Sequence, residues 1–246
     1  MPGQGPAALL SARVRAAGSP PLVTWYDDAT GERVELSAVS LANWVAKAAS
    51  LLADDLSVEP GEVVGVRLPE HWQTAAVLLG LWTAGAVADP AGGDHRVQVV
   101  HEVRLAEPGM VAAEHVLALS LRPLGARLGP LPAGAPPQVL DFAVEVPPQP
   151  DVWTGPLPGP QDAALVRGGG VLTGADLVAE AAALGAPQGA RVLIGAADAG
   201  PPAYLLPLVC GGSLVLVGAE NVSGQAARVA AERVTHVLTG TGLAPA

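Results

Sequence analysis

Lysine is almost missing from this sequence: Lys47 stands alone among 246 residues, and arginine carries the remaining basic charge. Acidic residues outnumber basic ones 23 to 13, and the resulting formal net charge of -10 is spread along the chain. That balance excludes the clustered cationic surface that nucleic-acid phosphates require. Cysteine is equally scarce. Cys210 has no second thiol to pair with, so an internal disulfide is excluded and a reducing cytoplasm is the expected location. With Phe 1 and Tyr 2, the core has to be built from Ala, Val and Leu around a few Trp anchors. No apolar run approaches the roughly 20 residues that span a bilayer, so no membrane partner is expected. Arg13 and Arg15 interrupt the short N-terminal apolar stretch instead of preceding it, which is unlike a secretory signal.

Catalytic and metal motifs are missing too. His101-Glu102 opens like a zinc-protease helix, but position 105 is Leu, so the second ligand is absent. Asp94-His95, Glu114-His115 and His236 are isolated, and no metal site is expected. Ser213 is outside any Gly-x-Ser-x-Gly elbow because position 215 is Val. Cys210 ends an apolar segment without a basic neighbour in sequence and reads as a core thiol.

What is present is an α/β pattern. Half of the residues are hydrophobic, and the Ala, Gly, Pro, Arg and Val bias is that of a GC-rich coding sequence. The patterning predicts a helix over Pro6 to Ala17 and a β-hairpin from strands 22–26 and 33–36. Ser37 is a good N-cap. Leu41, Val45, Ala48, Leu52 and Leu56 follow at helical spacing, which predicts a helix to about Asp55. Pro60-Gly61 stops it, and Val63 to Leu68 reads as a strand. Glu70 to Ala84 reads as a helix with His71 and Trp72 in its first turn, followed by a strand at 86–88. This strand-helix-strand order predicts a parallel sheet with crossover helices. Strand 96–103, an apolar element in 110–121 and a strand at 139–146 are expected next. Prolines recur from Leu128 to Pro160 and resist both helix and central strand. Alternation then resumes: strand 163–166, helix 174–184, strand 191–194, helix 201–209, strand 213–217, helix 222–232 and strand 234–238. The expected organisation is a first α/β subdomain over 1–127, a Pro-rich connection over 128–160 and a second α/β segment over 161–246, packed as one domain.

Several of these segments resemble one family. Gly31-Glu-Arg-Val-Glu-Leu-Ser37 with Ala42-Asn-Trp-Val-Ala-Lys-Ala-Ala49 is similar to the opening strand and helix of the adenylate-forming superfamily of acyl-CoA synthetases, luciferases and nonribosomal adenylation domains. Pro60-Gly61-Glu62-Val63-Val64-Gly65-Val66 followed by Leu68-Pro69 resembles that family's "PGDxVAVxLP" strand, and Leu79 to Ala86 resembles the helix and turn after it. Tyr204 to Val217 is similar to the "LLxPLxxGGxxVLV" stretch, and Arg233-Val-Thr-His-Val237 to the "RVTHL" strand. The matching pieces run through nearly the whole chain. The resemblance implies a fold of mainly parallel sheets flanked by helices, with a short hairpin near the N-terminus.

The same resemblance locates a nucleotide loop. Active members hold ATP phosphates in a Ser/Thr/Gly-rich loop ending in Pro-Lys-Gly, ahead of a helix that starts "THxNL". Here that place reads Arg167-Gly168-Gly169-Gly170, followed by Val-Leu-Thr173-Gly174-Ala-Asp176-Leu177, with neither Ser nor Lys. Arg167, Gly168, Gly169, Gly170 and Thr173 are therefore the candidate cofactor-binding residues, and ATP or AMP is the cofactor the resemblance implies. Two readings stay open for them: an anion site at a helix N-terminus, and a tight turn. A dinucleotide site ranks last, because position 173 is Thr where Gly-x-Gly-x-x-Gly needs Gly. In active members a C-terminal lysine domain and the adenine and ribose motifs lie beyond the last strand matched here. The expectation is an adenylate-forming-like domain without independent ligase activity, serving as a binding or regulatory module that self-associates or meets a protein partner. The alternative is a weak or partner-dependent ligase-type enzyme.

Overall fold

The computed structural model describes residues 3–107, 110–195, 200–218, 224–240 and 242–246. Helix α1 (Pro6–Ala17) leads into the hairpin β1 (Pro21–Asp27) and β2 (Glu32–Ser37), whose turn is held by Asp27 accepting from Ala29 N and Thr30 Oγ1. The Ser37 hydroxyl accepts from Ser40 N and caps α2 (Ala38–Ser50), which continues through a π-helical turn, Leu51–Asp55. Strand β3 (Val63–Arg67), helix α3 (Trp72–Ala84) and strand β4 (Val87–Asp89) form the expected unit. The expected helix start at Glu70 is corrected: His71 is extended, and its ring accepts from Gln73 N as the N-cap. Gly85 ends α3 at φ 83, a left-handed value that favours Gly.

No helix joins β4 to β5 (Val97–His101); residues 90–96 make the crossing. Gly65 of β3 makes room for it: a Cβ there would meet Gln98 Oε1 at 2.1 Å, and Gln98 Nε2 reaches back to Gly93 O. Arg96 anchors the far end on Glu62, Leu56 O and Ser57 O. Strand β6 (His115–Leu119) follows. The strand expected over 139–146 divides into β7 (Val139–Asp141) and the single-turn helix α4 (Phe142–Glu145), which Asp141 caps. Next come β8 (Ala163–Arg167), β9 (Gly170–Thr173), α5 (Gly174–Ala183), β10 (Arg191–Ile194) and a 3-10 turn (Pro201–Leu205) running into α6 (Leu206–Cys210). Strand β11 (Ser213–Val217), helix α7 (Gln225–Ala231), β12 (His236–Thr239) and β13 (Gly242–Pro245) complete the chain, and the expected helix start at Val222 lies outside the described residues.

Two sheets result, ordered β13-β12-β10-β11-β1-β2 and β7-β6-β5-β3-β4-β8-β9. Both are parallel throughout their centres; the antiparallel pairs β1/β2, β12/β13 and β8/β9 lie at edges. The first sheet takes strands from residues 21–37 and 191–245 and the second from 63–173, so the Pro-rich stretch contributes β7 to the second sheet's edge. Alternate residues of the central strands enter different cores, as strands covered on both faces require. Val97, Val99, Leu117, Leu214 and Leu216 join the main core between the sheets. Val100, Val116 and Ala118 pack outside the second sheet, and Leu193, Val215 and Val217 pack outside the first. The Pro-rich stretch is tied down by Lys47, whose ammonium donates to Pro147 O at 2.7 Å and Gln149 O at 2.6 Å and pairs with Asp151.

Outside the first sheet, Glu232 gathers its neighbours. It accepts from Tyr26 Oη at 2.5 Å and Arg33 Nε at 2.9 Å, and also pairs with Arg191. Burial alone pushes the Glu232 carboxyl up, but hydrogen bonds from Arg33, Tyr26 and Arg191 outweigh it and hold it down at about 2. A carboxylate depressed in the folded state contributes stability above its unfolded pKa and loses it as pH falls through the folded value. Glu232→Gln is therefore expected to be less stable than the parent near pH 7, with the gap closing as pH falls from about 4.5 to about 2. Urea melts across that range check this. A gap that stayed constant would show that the carboxylate's charge is irrelevant. Where β10 and β11 begin, a Cβ on Gly212 would sit 1.9 Å from Ala190 O, a backbone atom that cannot swing aside. Gly212→Ala is expected to cost about 1–3 kcal/mol in the same melts.

Candidate functional site

The sequence-derived candidates fall on one hairpin. Arg167 ends β8 and pairs in register with Gly170 of β9, which leaves Gly168 and Gly169 as a two-residue turn with φ values of 60 and 80. Two consecutive positive φ values are what a type I′ hairpin turn needs, so the glycines serve the turn itself. A Cβ on either would meet nothing within 4 Å, so no neighbouring wall closes around the turn. Thr173 pairs with Ala163 at the other end of the hairpin. It is three strand residues from Gly170, about 10 Å away at ~3.3 Å per residue, so these candidates do not converge on one point.

Both polar side chains among these candidates, Arg167 and Thr173, have an internal partner. The Arg167 guanidinium makes a two-pronged pair with Glu180 of α5, Nη1 donating to Oε2 at 2.9 Å and Nη2 to Oε1. Both side chains are exposed, which limits the pair's contribution to stability. Thr173 and Asp176 form a reciprocal cap: Thr173 Oγ1 accepts from Asp176 N at 3.1 Å, and Asp176 Oδ2 accepts from Thr173 N at 2.8 Å. The Asp176 carboxyl is held below its ordinary range by those bonds from Thr173. The next donors are also taken, Gly174 N by Asp162 O at 3.0 Å and Ala175 N by Pro160 O at 2.7 Å. A helix N-terminus binds anions through free N–H groups, and here the first three are engaged by the chain itself.

The other residues singled out in the sequence are placed as follows. His71 is 3% exposed and packs edge-on to Trp25 at 4.6 Å, and burial pushes its pKa down to about 3. The neutral ring at that depth caps α3 through Nδ1. Trp25, Trp72 and Trp82 are buried, and Trp82 Nε1 donates to Ala164 O at 2.9 Å across to β8. Cys210 is buried, which pushes its thiol pKa up. Among the described residues no group of three or more His, Cys, Asp or Glu is placed to hold a metal. No helix of the described residues is long and apolar enough to cross a membrane. Sequence reasoning missed Glu180, because only the hairpin's fold-back sets α5 beside Arg167.

This geometry can be set beside known proteins. The two-sheet architecture matches an acyl-CoA synthetase from Brucella canis with a TM-score of 0.73 and 19% identity, over 96% of this chain and 47% of that one. The anthranilate CoA ligase AuaEII, solved with anthranoyl-AMP, matches with a TM-score of 0.71 and 14% identity, over 96% of this chain and 50% of that one. The N-terminal domain of FACL13 from Mycobacterium tuberculosis matches with a TM-score of 0.69 and 12% identity, over 94% of this chain and 61% of that one. The chain thus has the fold of adenylate-forming ligases while spanning 47% to 61% of the length of these structures. No family model matches it. A curated relative from Mycobacterium tuberculosis, described as a TIGR03089 family protein, is 40% identical over 247 residues, covering 94% of this chain and 96% of the relative. The chain belongs to the TIGR03089 family.

The capping role of Thr173 is open to test. Thr173→Ala is expected to lower stability by about 1 kcal/mol, the usual cost of losing an N-cap hydroxyl. Arg167→Gln, which removes only an exposed ion pair, should cost less than about 1 kcal/mol. Chemical denaturation of both variants checks the order.

Proposed function

We propose that this chain is an adenylate-forming-ligase-like domain that does not form adenylates by itself and works as a binding or regulatory module. One observation carries this reading: at the position of the family's phosphate loop, Arg167 is paired with Glu180, and the N–H groups of Thr173, Gly174, Ala175 and Asp176 are bonded within the chain. A triphosphate would have to displace Glu180 from Arg167, Asp176 from Thr173 N, and two carbonyls from Gly174 N and Ala175 N. Charge disfavours that exchange too, because Asp162, Asp176 and Glu180 surround the hairpin. The sole lysine of the sequence is held by Pro147 O, Gln149 O and Asp151, far along the chain from residues 167–173. A fixed cation at a developing charge typically contributes several kcal/mol to a transition state, and no free one stands at this hairpin among the described residues. A protein partner or a second copy of the chain belongs to the same proposal, as does a cytoplasmic location.

The alternative is a ligase activity completed by another polypeptide, which the partial coverage of the solved ligases favours. The purified chain is expected to show no exchange of labelled pyrophosphate into ATP with any carboxylic acid tried, and no calorimetric binding of ATP or AMP. Exchange by the chain alone would overturn the module reading. Micromolar nucleotide binding that Arg167→Gln weakens would favour the partner-dependent ligase.

A further inference from the structure

The second sheet changes its direction of growth at β3. The chain leaves β3 through α3 to β4 on one side, whereas β5 on the other side continues outward to β6. In open α/β sheets, ligands bind outside the carboxyl ends of the strands at such a switch point. A crevice of about 420 Å³ lies there, between the ends of β3 and β5 and the segment that follows β4. Its lining includes Arg67, His101 and Arg104 with apolar Val66, Leu68 and Val103, and no carboxylate among the described residues lines it.

Charge and fixed geometry both point to an anion. Glu107, outside the lining, bridges the guanidinium groups, accepting from Arg67 Nη1 at 2.7 Å and Arg104 Nη1 at 2.9 Å. One carboxylate against two guanidinium groups leaves the crevice positive in a chain of formal net charge -10. The Arg67 stem lies against Gly92, where a Cβ would sit 2.8 Å from its Cδ, so this side chain is held in place before any ligand arrives. Its Nη2 donates to Met110 Sδ at 3.3 Å and its Nε is buried, so Arg67 supplies a fixed positive charge to the crevice wall. Val103 is 71% exposed, an apolar rim open to solvent. Burial pushes the His101 pKa down, leaving a neutral ring that can donate or accept beside the arginines.

We propose that this crevice binds a small organic anion, a compact apolar body bearing one carboxylate or phosphate group. The anionic group is held by Arg104, whose partly exposed guanidinium bonds Glu107 through Nη1 alone, with Arg67 adding fixed positive charge beside it, and the apolar body lies against Val66, Leu68 and Val103. The inference goes beyond the module reading and stands apart from it, because the crevice shares no residue with the 167–173 hairpin. Calorimetric titration of the full chain with benzoate, phenyl phosphate and inorganic phosphate tests it. Saturable binding of benzoate or phenyl phosphate is expected, tighter than inorganic phosphate and weaker at high salt. The tighter of the two organic probes tells whether the anion is a carboxylate or a phosphate. Arg104→Gln and Val103→Glu alter exposed side chains and should leave folding intact while weakening binding roughly tenfold or more. Arg67→Gln should do the same, with circular dichroism separating lost binding from lost folding. Absence of binding by both organic probes, or affinities unchanged in Arg104→Gln and Val103→Glu, would overturn the proposal. So would inorganic phosphate binding as tightly as phenyl phosphate.

Discussion

Helix α3 has no face in water, and the remainder of the fold is arranged around that fact. Every residue from Trp72 to Ala84 is buried. A helix that is apolar all round belongs in an interior, and this one contacts β4 of the second sheet and β1 of the first. The tight fit against α2 depends on Gly80, where a Cβ would come within 2.8 Å of the Ala48 methyl. Its polar residues are satisfied locally, Thr74 by Pro69 O and Thr83 by Leu79 O. His71 closes the first turn with a ring nitrogen. Burying that ring so deeply removes its charge.

The hairpin at 167–173 spends its polar side chains on its own structure. Strand β8, the cap and α5 hold the sheet edge together, and they need the glycine turn and the Thr173-Asp176 cap to do so. Those requirements take up the N–H groups of Thr173, Gly174, Ala175 and Asp176. Backbone groups buried at a helix start must be satisfied, and once carbonyls and a carboxylate have satisfied them an anion has to compete with covalently tethered partners. At the end of β3, Arg67 is likewise engaged, by Glu107 and Met110 Sδ, whereas Arg104 bonds Glu107 through one nitrogen only.

Much of the chain was legible because the local signals agreed with one another. Ser37, Pro60-Gly61 and Gly85 mark element ends in the structure as they do in the sequence, and the alternating strands keep their period because both faces are covered. Where the reading of 139–146 failed, a local cap decided. The strand expected to run on to Val146 turns helical after Asp141, whose carboxylate caps Ala143 N.

By itself the sequence determined the α/β class and most helix and strand positions, since those follow from periodicity and capping between near neighbours. Tertiary structure alone decided that β1 pairs with β11 and that Glu180 faces Arg167. It also brought Glu107 between Arg67 and Arg104, at sequence distances of 40 and 3 residues. Charge pairing acts over a few ångströms of space without regard to chain separation, so which arginines are spent and which remain available is fixed only once the sheets have assembled.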